Sequence, residues 1–202
     1  MISIAAGFIK GLQLKSPSGE QTRPSSERLR QGVFNVLWNY QRDGVPIIEG
    51  AVVSDVFAGS GAWGIEAISH GASSICFLEK HPSTLSTLKA NVVKARQALA
   101  NQNLKPGFSL VPLDLEEGYG KLPESDILFL DPPYNKGFFQ ESLKQEVKFQ
   151  KVKEGGLFLF EAQEKESILD SENDLLLKKA KLVLWNEKQY GEARVYFFVK
   201  GK

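Results

Sequence analysis

Length, composition and charge indicate one ordinary globular domain and exclude several other classes of protein. The chain has 202 residues, of which 42% are hydrophobic and 24% are charged, and its net charge is +1. A chain of this size can bury a sizeable core, and so small a net charge gives no overall argument for nucleic acid. One cysteine and two histidines cannot supply the four ligands of a structural zinc site, so we expect no bound metal.

The same features favour a cytoplasmic protein without a membrane segment. A single cysteine cannot form a disulfide within the chain, which fits a reducing compartment. The N-terminus lacks the basic start and the long apolar segment of a signal peptide, and no apolar run approaches transmembrane length. We expect the protein to be cytoplasmic and monomeric.

Residues 1–48 are predicted to form an N-terminal extension ahead of the main fold. Two short apolar stretches, broken by Gly7 and Gly11, predict a small β-hairpin, and a helix follows that Ser25 or Ser26 can cap. Apolar residues recur at helical spacing on one face of this helix, and polar residues line another. The candidate substrate-binding residues of the extension are Lys10, Arg23, Arg28 and Asn35.

Charge is distributed unevenly along the chain. Residues 1–30 carry five basic and two acidic side chains, and residues 178–202 carry seven basic and two acidic ones. The middle of the chain is therefore acidic and both ends are basic. This distribution predicts a modest footprint for phosphate, although any single lysine can equally be a solvated charge.

Strand and helix patterns alternate over residues 49–202, which predicts a catalytic domain of the α/β class with helices on both faces of a parallel sheet. The predicted strands lie near residues 51–57, 74–79, 108–113, 126–131 and 156–161. The predicted helices lie near residues 61–70, 82–99 and 137–152.

The C-terminal end departs from this alternation. Apolar runs at residues 175–177, 182–185 and 195–199 leave no room for a helix after Lys178. The last two runs can pair as a hairpin across Gly191 and add an antiparallel strand to the sheet. A plain dehydrogenase-type fold does not predict this hairpin. The fold prediction is therefore a Rossmann-like, mostly parallel sheet of seven strands with an antiparallel C-terminal hairpin.

A glycine-rich loop follows the first predicted strand of this domain, with the sequence Asp-Val-Phe-Ala-Gly-Ser-Gly-Ala-Trp-Gly from Asp55 to Gly64. Gly59 and Gly61 permit a tight turn and let a ligand lie against bare backbone, while Gly64 lets the next helix pack closely. The spacing also satisfies the dinucleotide fingerprint, so alone it leaves nicotinamide and other adenosine cofactors open. The candidate ligand contacts are Asp55, Phe57, Ala58, Gly59, Ser60 and Gly61.

Further acidic residues follow the next two strands. Glu79 comes about 20 residues after the loop, where a carboxylate can bind both ribose hydroxyls of an adenosine, and Lys80 is a candidate for the same pocket. Asp114 follows the third strand and either meets an adenine ring or is a plain turn aspartate. Asp55 also has two interpretations, since it can position an amino group of the ligand or cap the glycine loop.

The segment Asp131-Pro132-Pro133-Tyr134 follows an apolar strand, at the edge where active groups of open α/β sheets lie. Two prolines stiffen the loop and remove backbone donors, so the adjacent carbonyl oxygens can act as acceptors. The Asp131 carboxylate, the Pro132 carbonyl and the Tyr134 ring together suit an exocyclic amine on a flat nucleobase. The segment therefore predicts a site for such an amine.

These segments occur in the order found in class I S-adenosylmethionine-dependent methyltransferases, and the chain most resembles the RsmD-type family. That family methylates the exocyclic N2 of a guanine in 16S ribosomal RNA. The matching segments are Thr22-Arg23-Pro24-Ser25-Ser26-Glu27-Arg28, Phe34-Asn35, the run from Phe57 to Ala67, Asp131-Pro132-Pro133-Tyr134 and, as a minor match, Tyr190-Gly191.

The resemblance implies S-adenosylmethionine as the cofactor and 16S ribosomal RNA as the partner, in the small subunit or in an assembly intermediate. It implies that Asp131 and Pro132 hold the target amine and that a flipped guanine stacks on Tyr134. It places Tyr190 with the extension residues as an RNA contact. The chain departs from the family in its first hairpin, which is less basic, and at Glu192-Ala193, where the family tends to have a small hydroxyl residue.

Other functions remain open at this point. A DNA adenine-N6 methyltransferase would use the same loop, but it usually needs a long target-recognition insertion. A protein-glutamine methyltransferase typically has asparagine in place of Asp131. A cofactor-binding assembly factor without turnover would not need both Asp131 and Tyr134, and a nicotinamide oxidoreductase leaves the two prolines unexplained.

Overall fold

The computed structural model of the chain describes residues 1–17, 27–133, 137–164, 166 and 168–202. The predicted site residues Arg23 and Tyr134 lie outside these ranges. The strands of the described ranges are β1 (Ile2–Ser3), β2 (Gln13–Leu14), β3 (Gln41–Arg42), β4 (Val45–Pro46), β5 (Val52–Val56), β6 (Ser74–Leu78), β7 (Gly107–Val111), β8 (Ser125–Leu130), β9 (Val152–Gln163), β10 (Leu182–Tyr190) and β11 (Ala193–Lys200). The helices are α1 (Glu27–Asn39), α2 (Ala62–Ser69), α3 (Pro82–Ala100), α4 (Leu115–Gly118), α5 (Phe138–Phe149) and α6 (Ser171–Ala180), and a 3₁₀ turn at Tyr119–Lys121 follows α4.

Seven of these strands form one mostly parallel sheet, which confirms the predicted fold. Their order is β10-β11-β9-β8-β5-β6-β7, and β11 runs antiparallel to both of its neighbours. Val56 lies opposite Leu78 on one side and Leu130 on the other, and Leu78 lies opposite Val111. Because these four residues end their strands, the segments that follow them meet at one edge of the sheet.

The residue types of the central strands explain why helices cover both faces of the sheet. Every residue of β8 is buried, and its four last residues are all apolar. Continuous apolar runs of this kind are typical of parallel strands that are buried on both sides. Helix α2 lies very close to the sheet, because an added Cβ at Gly64 would come within 2.5 Å of the Phe77 ring.

The N-terminal extension packs against the same hydrophobic core as the sheet. β1 and β2 form the predicted hairpin, although each strand has only 2 residues. Helix α1 buries Leu29, Val33, Phe34 and Leu37, the apolar face predicted from the sequence. An additional short hairpin of β3 and β4 follows this helix. The two predicted segments of the chain thus share one core, and the RNA-binding role of the first stays a prediction.

The predicted C-terminal hairpin is confirmed, whereas the segment before it differs from the prediction. β10 and β11 pair along most of their length and turn at Gly191. The apolar run at residues 175–177 lies inside α6, whose cap is Asp170: its side chain accepts a hydrogen bond of 2.8 Å from the Asn173 backbone N–H. The prediction considered only residues after Lys178, whereas the helix begins ahead of the run. No helix of the described ranges is long and apolar enough to span a membrane.

Candidate active site

A cavity of about 720 Å³ opens at the edge of the sheet where β5, β6, β7 and β8 end. It brings together segments that are far apart in the sequence, because the four strand ends are neighbours in the sheet. Of the predicted site residues that the structure describes, nine line it, namely Phe57, Ala58, Gly59, Ser60, Glu79, Lys80, Asp114, Asp131 and Pro132. Asp55 and Gly61 are not among its lining residues.

The glycine loop between β5 and α2 has the backbone conformation that its sequence predicts. Gly59 and Gly61 have φ angles of 55° and 79°, which are in the left-handed region that favours glycine. An added Cβ at Gly61 would lie 2.5 Å from a methyl group of Leu88, so a side chain there would collide with α3. Gly61 therefore lets the loop pack closely against α3, and Gly59 is part of the cavity wall.

Glu79 connects two loops of the cavity. Its Oε2 accepts a hydrogen bond of 3.0 Å from the Gly59 N–H, and its Oε1 accepts one of 2.8 Å from the His81 N–H. Glu79 is one of the residues that line the cavity, and each carboxylate oxygen can accept more than one hydrogen bond. The residue can thus hold the loop in place and still accept hydrogen bonds from ligand hydroxyls.

Asp55 is buried beneath the cavity and does not line it, so it is not placed for direct contact with a ligand. It is 1% exposed, and its Oδ2 accepts a hydrogen bond of 2.9 Å from the Gly64 N–H. Its Oδ1 is buried and has no hydrogen-bond partner in the described part of the chain. Burial, with a smaller contribution from Asp131 and Glu79, raises the pKa of Asp55 well above its ordinary value. The geometry favours the second interpretation, in which Asp55 anchors the loop and helix α2.

Asp114 lies in the cavity and also caps a helix. Its side chain accepts a hydrogen bond of 3.0 Å from the Glu117 N–H at the start of α4. This short helix was not predicted, although an aspartate followed three residues later by glutamate is a known sequence signature of a helix start. Asp114 is therefore a helix cap that also lines the cavity, and its contact with an adenine ring stays a prediction.

Asp131 follows β8 at the cavity wall, and it accepts a hydrogen bond that the sequence did not predict. The indole Nε1–H of Trp63 donates to the Asp131 Oδ2 at 3.1 Å. Trp63 is the large aromatic residue inside the glycine-loop segment, and its ring is stacked on Phe129 with centroids 5.1 Å apart. An indole between glycines at the start of a helix was the signal in the sequence, since a buried indole N–H needs an acceptor.

The predicted RNA contacts that the structure describes, Lys10, Arg28, Asn35 and Tyr190, are not among the residues that line the cavity. Lys10, Arg28 and Asn35 are exposed, and Asn35 lines a second, open groove of about 650 Å³ beside His70. Tyr190 is only partly exposed, and its ring packs so closely on α1 that no side chain would fit at Gly32. Tyr190 therefore joins the C-terminal hairpin to the extension, which differs from a purely RNA-facing role.

A buried ion pair attaches the extension to α2. Arg30 is 1% exposed, its Nε lies 3.5 Å from the Glu66 Oε2, and its Nη2 donates to the Ser3 carbonyl at 2.6 Å. Glu66 also accepts hydrogen bonds of 3.0 Å from the backbone N–H groups of Ala5 and Ala6. Burial lowers the pKa of Arg30, and the charge of Glu66 opposes that shift.

Two of the basic residues counted in the charge distribution are therefore structural. Arg30 forms the pair with Glu66, and Lys200 is buried, with its Nζ 2.7 Å from the Glu146 Oε1. The number of basic side chains that could contact phosphate is therefore two lower than the sequence suggested. No group of three or more His, Cys, Asp or Glu side chains within the described ranges could hold a metal ion.

Comparisons with known proteins identify the family and support the fold. The model of a family described as Conserved hypothetical protein 95 matches residues 2–199. The ribosomal RNA small subunit methyltransferase D of Haemophilus influenzae is 27% identical over 178 residues, which cover 88% of this chain and 87% of that protein. The protein of the same name from Buchnera aphidicola subsp. Acyrthosiphon pisum is 30% identical over 178 residues, 88% of this chain and 86% of that protein. The solved structure of Escherichia coli yhhF has a TM-score of 0.74 at 22% identity, covers 99% of this chain and 98% of its own, and supports the fold.

Proposed function

The chain belongs to the family described as Conserved hypothetical protein 95, the RsmD-type methyltransferases, and from this premise we propose that it methylates the exocyclic N2 amine of a guanine in 16S ribosomal RNA. At the coarser level, the protein is a ribosomal RNA methyltransferase with a class I fold. The observation that carries the finer proposal is the position of Asp131. Its carboxylate lies in the same cavity as the glycine loop and Glu79, where a nucleobase amine can meet a bound cofactor.

S-adenosylmethionine is the cofactor, and when bound it supplies a methyl group that the positive sulfonium has already activated. The cavity suits this ligand in two respects. Backbone at Gly59 can approach closely, and Glu79 can accept hydrogen bonds from ribose hydroxyls. The carboxylates that line the cavity belong to Glu79, Asp114, Glu116, Asp131 and Glu141. Among the described residues that line the cavity, these five carboxylates outnumber the ammonium group of Lys80, which favours a ligand with sulfonium and ammonium charges.

Asp131 and Pro132 would orient the target amine. The lone pair of an aromatic amine is delocalised into its ring, which makes the nitrogen a poor nucleophile. Hydrogen bonds from the two amine protons to the Asp131 carboxylate and the Pro132 carbonyl localise that lone pair and direct it at the methyl carbon. The gain comes mainly from orientation and from electrostatic placement. The proton released after methylation passes to Asp131 or to solvent.

The substrate RNA has to bring a single base into this cavity. A base inside a stacked helix cannot reach the cofactor, so the target guanine is flipped out and stacked on the ring of Tyr134. Stacking of that kind contributes roughly 1–3 kcal/mol per base. Lys10, Arg23 and Arg28 supply phosphate contacts from the extension, and Asn35 adds an amide. Tyr190 holds the extension in position for these contacts.

Mapping of methylated nucleotides tests the proposal in cells. Small-subunit ribosomal RNA is compared between cells with the protein, cells without it, and cells that carry only the Asp131→Ala variant. We expect one N2-methylguanosine that is present in the first and absent from the other two. Methylation that persists without the protein, or a lost modification on adenine, contradicts the proposal. A modification that survives in the Asp131→Ala cells contradicts the role of Asp131.

A further inference from the structure

Trp63 has a polar contact that its apolar surroundings do not require. The side chain is 6% exposed and lies among the rings of Phe129 and Phe34, whose centroids are 5.1 Å and 6.1 Å from its own. An apolar side chain would fill that space without placing an N–H group in it. The indole Nε1–H is instead directed to the Asp131 Oδ2 at 3.1 Å.

The surrounding elements fix the direction of the indole. Phe129 and Asp131 are two residues apart at the end of β8, so their side chains lie on the same face of the sheet. A ring stacked on Phe129, at an interplanar angle of 21°, presents its edge to the neighbouring carboxylate. The backbone of α2 at this point is held by the hydrogen bond from Gly64 N–H to Asp55. Trp63 is therefore positioned independently of any ligand.

We propose that Trp63 is a positioning residue for Asp131, and that its indole N–H sets the rotation of the carboxylate that receives the target amine. This inference rests on the proposed function, because it assigns Trp63 a role through Asp131 and not through direct contact with the substrate. The χ2 angle of an aspartate is broad and has no sharp minima, so a hydrogen bond to one carboxylate oxygen favours one rotation of the group. Donation to an ionised oxygen also stabilises the acceptor form of Asp131.

An isosteric replacement tests the role of the N–H group alone. Benzothienylalanine at position 63 keeps the bicyclic ring and replaces the N–H by sulfur. We expect kcat for the RNA to fall by roughly tenfold to a hundredfold, the loss typical of a hydrogen bond to a charged group. The Michaelis constants for cofactor and RNA should change less than about twofold, and the acid limb of the kcat–pH profile should move to higher pH. Trp63→Phe should show the same pattern.

Two controls separate positioning from packing. The same replacement at Trp185, a half-exposed tryptophan of β10, should leave kcat unchanged. Phe34→Leu disturbs the ring cluster without removing the hydrogen bond to Asp131, and it should lower the melting temperature more than kcat. An unchanged kcat and pH profile for the isostere at position 63, beside an active wild type, overturns the inference and leaves the proposed function intact. A wild type that methylates no guanine overturns the proposed function instead.

A second measurement does not depend on activity. The three tryptophans give three indole N–H signals in a proton–nitrogen spectrum, and only Trp63 is buried, since Trp38 and Trp185 are 47% and 44% exposed. We expect the Trp63 proton to exchange slowly with solvent and to shift strongly in Asp131→Ala, while the other two signals stay in place. A Trp63 signal that is indifferent to Asp131→Ala contradicts the hydrogen bond and the inference with it.

Discussion

The carboxylates in and beneath the cavity differ in their partners from Glu66. Glu66 belongs to the joint, the buried contact with Arg30 that attaches the extension to α2. Asp55, Glu79 and Asp114 accept hydrogen bonds from backbone N–H groups of loops and helix ends. Glu66 accepts backbone hydrogen bonds as well, but it also faces the buried guanidinium of Arg30. Neutral donors orient a carboxylate without cancelling its charge, whereas an ion pair neutralises it. Glu79 and Asp114 can therefore keep their negative charge at the cavity, where it suits a cationic ligand, and the joint is a structural contact.

Asp131→Ala should give the largest effect on the cavity side of this comparison. We expect turnover to fall by at least about a thousandfold, because the variant loses both orientation and electrostatic placement of the amine. Cofactor affinity should stay within about tenfold, since the carboxylate serves the target. Single-turnover kinetics and calorimetry measure the two quantities. Asp174→Ala, a change at an exposed position of α6, is the matched control and should keep full activity. Equal losses in both variants would refute a specific role for Asp131.

Glu66→Gln should give the largest effect on the joint. It removes the carboxylate charge that Arg30 faces in the buried pair, and breaking a buried pair by removing one partner costs about 3–5 kcal/mol in the free energy of unfolding. Denaturant unfolding provides the measurement. Glu172→Gln, at an exposed position in the first turn of α6, should change stability by less than about 0.5 kcal/mol. A Glu66→Gln protein of unchanged stability with weakened cofactor binding would show that Glu66 serves the ligand, as the cavity carboxylates do, and would contradict its structural role.

Glu79→Ala should weaken cofactor binding by roughly 1–3 kcal/mol, because a charge-assisted hydrogen bond to the ribose is lost. Calorimetry with S-adenosylmethionine and with its demethylated product gives the affinities. Glu116→Ala removes another carboxylate from the cavity wall and controls for the general loss of negative charge. If the two variants lose equal affinity, only the overall potential matters and the ribose contact is wrongly assigned.

Asp55 predicts a pH dependence of stability with a definite sign. Its pKa is raised in the folded protein, so between the ordinary aspartate value and that raised value the folded state binds the proton more tightly than the unfolded chain. Stability from this residue is present at low pH and is lost as pH rises through the folded pKa. Relative to Asp55→Asn, the wild type should therefore lose melting temperature on going from about pH 4 to pH 8. A constant difference between the two proteins would contradict the burial of an ionisable carboxyl group.

Arg23→Ala combined with Arg28→Ala should give the smallest effect on the fold and a clear effect on RNA. Loss of two phosphate contacts should reduce the slope of log affinity against log salt by about two and spare cofactor binding. RNA affinity across a salt series, beside a melting curve, makes the distinction. A large drop in melting temperature with an unchanged slope would show that these arginines brace the extension, as Arg30 does.

The sequence predicts the cavity better than the joint for a physical reason. A tight turn needs glycine, and a strand end in a parallel sheet has a fixed direction, so Gly59, Glu79 and Asp131 could be placed from local pattern alone. The shared sheet edge then brings them together. Neighbouring residues in these segments therefore carry most of the information about where the ligand binds.

Long-range pairs give no comparable local signal. Arg30 and Glu66 are 36 positions apart, and Trp63 and Asp131 are 68 positions apart. The sequence therefore gives no sign that the members of each pair are in contact. Arg30 was therefore counted as a surface charge, and the N–H of Trp63 had no predicted partner. Asp55 was ambiguous for a related reason, because its sequence position fits both a ligand contact and a helix anchor, and only burial separates the two.

Reconstitution with purified components tests the central claim most directly. The wild type and Asp131→Ala are incubated with small ribosomal subunits that lack the modification and with S-adenosylmethionine carrying a labelled methyl group, and the RNA is digested to nucleosides for mass spectrometry. The label should appear in N2-methylguanosine, in at most one equivalent per subunit, with the wild type and not with Asp131→Ala. Label in N6-methyladenosine, label in protein, or equal labelling by both forms would contradict the account.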